Sequence, residues 1–174
     1  MKRLFAAVLT LLCVLPLSGC LGKKEPIEPP DLTGQWKQIN SSSETDYQGI
    51  YISDYGIEVY WVLGSSNGAA LYWAGSCTLP KEGNEENVYS WTSDADTSRT
   101  TNSLLTDKKK VKDFKVENDR LTYIVEYEGT TMTVYAEKED WGYEGLQTFG
   151  SVDMYDVVNG VYRNFISSGA APES

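Results

Sequence analysis

From Asp31 to Asp140 apolar and polar residues alternate with a period of two. That period puts successive side chains on opposite faces of an extended chain, as a half-buried strand requires and an amphipathic helix does not. Ile57, Val59, Trp61 and Leu63 alternate with Glu58, Tyr60 and Val62. Leu71, Trp73, Gly75, Cys77 and Leu79 alternate with Tyr72, Ala74, Ser76 and Thr78. Leu121, Tyr123, Val125 and Tyr127 alternate with Thr122, Ile124 and Glu126, and Met132, Val134 and Ala136 with Thr133 and Tyr135. Weaker runs lie at 34–39, 47–53, 88–92 and 111–116. Val, Ile, Thr, Tyr and Trp dominate these runs, as a pleated surface favours.

Short turn signals separate the runs: Asp54-Tyr55-Gly56, Asn67-Gly68, Glu82-Gly83-Asn84, Asn118-Asp119 and Glu128-Gly129. The expected fold is therefore all-β, an antiparallel up-and-down barrel of about eight strands, because closure removes exposed edges. A two-sheet sandwich is the alternative. Residues 97–107 read as a strand or as a loop with a short helix.

The first residues carry a different signal. Lys2 and Arg3 precede an apolar run from Leu4 to Leu17. The run is shorter than the roughly 20 residues a spanning helix needs and fits the core of a secretory signal peptide. It ends in Leu17-Ser18-Gly19-Cys20, which resembles the lipobox of bacterial lipoproteins. The resemblance implies cleavage before Cys20 and a diacylglyceryl group on its thiol. Two acyl chains suffice for stable anchoring where one does not. The chain then divides into a signal peptide (1–19), a lipidated Cys and Pro-rich linker (20–30), a β-barrel domain (31–140) and a C-terminal extension (141–174). Leu21, rather than Asp, follows the cysteine, which implies the outer membrane if the host is Gram-negative. Otherwise the address is the extracytoplasmic face of the cell membrane.

Gly34-Gln35-Trp36, at the head of the first run, resembles the Gly-x-Trp of lipocalins and related calycins. In that family the glycine leads the chain into the barrel and the tryptophan closes its floor. The resemblance implies a lipocalin-like barrel with a lumen for a small apolar or amphiphilic ligand. Trp61, Trp73, Tyr123 and Tyr127 are the candidate lining residues.

Composition narrows the function. Without Lys2 and Arg3, 13 basic residues face 25 acidic ones, a net charge of −12. Nucleic acid binding needs a basic face and is not expected. The chain contains no histidine, which removes the commonest general base and metal ligand. The domain is therefore expected to be non-enzymatic, monomeric and without metal or cofactor. A carboxylate-dependent hydrolase is the enzymatic alternative. Cys77 is the one cysteine left beside Cys20 in the mature chain, so no disulfide is expected there and Cys77 reads as a core residue.

Other motifs read as structure. Gly64-Ser65-Ser66-Asn67-Gly68 matches a nucleophile elbow but sits between strands and lacks a histidine base. Asp94-Ala95-Asp96-Thr97-Ser98 begins like a calcium loop, but Arg99 and Leu105 stand where Gly and Glu are required. Lys108, Lys109, Lys110, Lys112 and Lys115 form a basic cluster that reads as the guarded edge of a sheet. In the tail, Met154, Tyr155, Val157, Val158, Val161, Tyr162, Phe165 and Ile166 recur at helical spacing, while Asn159-Gly160 is a hairpin signal. The expectation is a C-terminal helix, with a hairpin as alternative. The leading functional expectation is a lipid-anchored ligand binder. Its rival is a surface interaction module, an inhibitor or exclusion factor that holds a protein or wall component on its outer face.

Overall fold

The computed structural model describes residues 30–64, 68–84, 87–100, 106–127 and 129–145. The segments 1–29 and 151–167, with the signal peptide, Cys20 and the helix or hairpin of the tail, lie outside the described residues. Eight strands follow one another: β1 (Gly34–Gln38), β2 (Asp46–Ser53), β3 (Gly56–Leu63), β4 (Gly68–Gly75), β5 (Tyr89–Asp94), β6 (Val111–Glu117), β7 (Arg120–Tyr127) and β8 (Thr130–Lys138). The one α-helix among the described residues, α1 (Thr97–Thr100), lies between β5 and β6.

All eight strands join one antiparallel sheet in the order β4-β3-β2-β1-β8-β7-β6-β5. The two-sheet sandwich is thereby excluded for these strands. Every chain neighbour is also a sheet neighbour except β4 and β5, which form the two edges. Pairing of β8 with β1 joins the two four-strand meanders. The sheet is strongly curled, and its edges approach at a seam. There Gly75 and Ala95 form an isolated antiparallel bridge. Ser76 N donates to Asp94 O, and Asp96 N to Ala74 O, both at 2.8 Å.

The turns follow their residues. Asn118 and Asp119 take φ of 51° and 59°, the left-handed pair that a two-residue hairpin needs. Glu82-Gly83-Asn84 does not make a hairpin. It belongs to the connection between β4 and β5 across the seam.

The inward faces build one core. Trp36, Trp61, Trp73, Tyr72, Phe114 and Tyr123 are fully buried there with Ile50, Ile52, Ile57, Leu63 and Leu121. Trp36 Nε1 donates to Leu32 O at 3.1 Å, which ties the entering chain to the ring. Alternation misplaces two residues, Leu71, which packs in a cluster on the outer face, and Tyr72, which joins the core. Strict period two puts Tyr72 opposite Trp73, yet both have 0% exposure. Between Val59↔Trp73 and Tyr60↔Leu71 the register slips by one residue, and this bulge turns Tyr72 inward. Cys77 is half-buried and packs against the core.

A second apolar cluster lies on the outer face of β2, β3 and β4. Tyr60, Ala69 and Trp141 are buried there, with Tyr47, Val62, Leu71 and Tyr143 against them. Trp141 and the short 3-10 turn Tyr143–Gly145 therefore strap the chain after β8 across the outside of the sheet.

The lysine-guarded edge is not where the sequence suggests. β6 lies inside the sheet, between β5 and β7. Lys112 is buried, because its ammonium meets Asp107 Oδ2 at 2.7 Å and Ile124 O at 2.8 Å.

Candidate functional site

The seam holds a groove of about 530 Å³ on the outside of the sheet. The β2–β3 hairpin supplies Ser53, Tyr55, Gly56 and Glu58. The end of β4 supplies Ala74, Gly75 and Ser76, and the exit from β5 supplies Asp94, Ala95, Asp96 and Arg99. Glycines border it for a steric reason. A Cβ on Gly56 would stand 2.8 Å from Gly75 O, and one on Gly75 would stand 2.5 Å from Asp94 O. Tyr55, at the hairpin tip, is 95% exposed.

Glu58 organises one wall. Arg99 Nη1 reaches its Oε1 at 2.6 Å, bringing α1 to the outer face of β3. The hydroxyls of Tyr60 and Tyr143 donate to Oε2 at 2.5 and 2.9 Å. Burial raises the Glu58 pKa, but these three donors outweigh it and hold the carboxyl below its ordinary 4.5. Burial and the same carboxylate push the Tyr143 hydroxyl up to about 12 and Tyr60 higher still. Tyr51 stacks on Tyr143 with centroids 4.0 Å apart and planes 9° from parallel. Glu58 is thus a fixed, saturated anion rather than a free base. Asp96 is partly used as well, its Oδ1 accepting from Ser98 N at 3.0 Å. The groove offers exposed carboxylates, small hydroxyls and one free aromatic ring, a set suited to holding a polar partner.

The residues singled out for a lumen behave differently. Trp61 is fully buried, edge-on to Tyr72 with centroids 5.4 Å apart. Trp73 donates from Nε1 to Lys109 O at 3.3 Å and leans on Phe114. Phe114 bridges Trp73 to Tyr123. The Tyr123 hydroxyl donates to Gln48 Oε1 at 2.5 Å. The side chain of Tyr127 and the whole of Cys20 lie outside the described residues. Neither the seam groove nor a shallower one of about 350 Å³ over β5–β7 is lined by Trp61 or Trp73, whereas Tyr123 borders the second with Trp91 and Phe114.

Period-two reading missed Glu58, Arg99 and Tyr143 as a group, since nothing in alternation links positions so far apart. Asp94 and Asp96 did stand out as an acidic loop, and Tyr55-Gly56 as a turn.

Compared with known proteins, the chain matches no family model, no curated protein and no solved structure.

Proposed function

We propose that this is a lipid-anchored extracytoplasmic protein, held through Cys20, whose lipocalin-like barrel serves as a surface interaction module. Its outer face, centred on the seam groove, holds a protein or a cell-wall component. One observation carries this choice over a lumen binder. The described rings that would line a lumen pack on one another as core, while the exposed Tyr55 and the polar groove face outward. The lipobox residues support the anchor, and the Gly-x-Trp supports the barrel, with Trp36 buried at its start.

The test uses the full chain in bacterial cells. An alkyne fatty acid should label the wild type and not Cys20→Ala, which should leave the membrane fraction. Purified wall polymer and envelope protein extract should retain the wild type. Tyr55→Ala and Arg99→Ala should each lower retention at least several-fold, Tyr55→Ala with thermal stability little changed. Equal retention by both variants would refute the groove as the contact.

A small amphiphilic ligand in the interior is the second reading, and Gln48 favours it. Its side chain is fully buried, and Nε2 has no hydrogen-bond partner among the described residues; Trp91 Nε1 shares that condition. Buried donors without partners are costly, and a ligand acceptor would satisfy them. Saturable, salt-insensitive binding of an apolar dye that quenches tryptophan emission would decide for this reading.

A further inference from the structure

We propose that Asp107 and Lys112 condense to a side-chain amide, a covalent staple between the segment entering β6 and β6 itself. The two side chains are 5% and 3% exposed, and Lys112 Nζ lies 2.7 Å from Asp107 Oδ2. Rings close the surroundings, with the Tyr72 and Trp73 centroids 5.2 and 5.9 Å from Nζ. Water, the product of condensation and the reagent of its reversal, is excluded from such a place.

Each carboxyl oxygen already has the partner its role requires. Oδ1, which would carry the developing negative charge, accepts from Lys109 N at 2.9 Å. Oδ2, which would leave, accepts from the Tyr72 hydroxyl at 2.9 Å as well as from Lys112. Tyr72 is itself fixed, since Glu126 N donates to its oxygen at 3.1 Å. Ile124 O holds Nζ from the other side at 2.8 Å.

The resting form is the ion pair. Burial lowers the Lys112 pKa towards the free amine. Burial raises that of Asp107, but the Lys112 charge together with the hydrogen bonds from Lys112, Lys109 N and the Tyr72 hydroxyl holds it below its ordinary value. Reaction begins when a proton passes along the Nζ–Oδ2 hydrogen bond, leaving an amine beside a carboxylic acid. The Nζ lone pair attacks Cγ and an N–C bond forms. The nitrogen then loses a second proton, relayed by the Tyr72 hydroxyl to Oδ2. The Cγ–Oδ2 bond breaks and one water departs. Nothing is oxidised or reduced, and no co-reactant is needed.

The staple would do what a disulfide does elsewhere, in a mature chain whose thiols do not permit an internal pair. Four residues separate its ends, so its main effect is local. It locks the segment whose Asp107 N bonds to Tyr72 O at 3.0 Å and so holds β4 at the seam.

Trypsin makes the test direct. The full chain, unfolded and digested, should yield Thr100–Lys108 joined to Val111–Lys115, one water lighter than the two peptides together and uncut after Lys112. Lys112→Arg should abolish the joined species. The wild-type digest is decisive even if that variant does not fold. Cleavage after Lys112 with only linear peptides would overturn the proposal, as would persistence of the joined mass in Lys112→Arg.

Discussion

The indole of Trp141 lies directly on Gly49: a Cβ built on that glycine would stand 2.6 Å from the ring. Trp141 Nε1 also donates to Ile50 O at 3.1 Å, so the strap is both packed and hydrogen-bonded. Gly49→Ala should lower stability by about 1–3 kcal/mol, because the ring must move. Trp141→Ala should cost about 3–5 kcal/mol. The two effects share one contact and should not add. In a denaturant double-mutant cycle, Gly49→Ala should cost much less once Trp141 is gone. An unchanged cost would mean that the strap is not seated there in solution.

Glu58 makes the seam sensitive to acid. Its folded pKa is depressed below the ordinary 4.5, so its contribution is complete above that value and is lost as pH falls through the folded pKa. The thermal midpoint of the wild type should therefore drop below about pH 4.5 more steeply than that of Glu58→Gln, with the two curves converging at low pH. Parallel curves would remove Glu58 as the source.

Asp107→Ala leaves the Lys112 ammonium buried without its carboxylate and should cost about 3–5 kcal/mol. Replacing both, as Asp107→Ala with Lys112→Met, should be clearly more stable than Asp107→Ala alone, since no unpaired charge then remains at that site. Urea midpoints of the single and double variants check this, and a double variant no better than the single would contradict it.

Cys77 should be slow to alkylate. Burial pushes its thiol up to about 11, so little thiolate exists near neutral pH. Iodoacetamide at pH 8 should label the folded protein many times more slowly than the urea-unfolded chain. Equal rates would place Cys77 outside the core.

Trp36→Ala should cost about 3–5 kcal/mol in urea unfolding, since the ring is 2% exposed and holds the entering chain through Leu32 O. A change of only a few tenths would make its likeness to the lipocalin tryptophan accidental.

The strand positions were legible in the sequence because alternation is a local property: a strand with one wet face must show it within a few residues. Ile57 to Leu63 and Leu121 to Val125 announce their faces in this way, and Asn118-Asp119 announces the reversal before β7. What lies between neighbouring residues in space could not be read so. Tyr72 turns inward because β4 slips against β3, a property of the pair rather than of either strand. Lys112 sits in a run of exposed lysines and is buried because Asp107 and Ile124 O meet it. The seam depends on which edge the curl brings beside β4, and its ion pair joins residues 58 and 99. Local sequence thus determined which segments extend and which face is apolar. Only the curling of the open sheet decided which charges are buried, which rings become core and where a groove is left open.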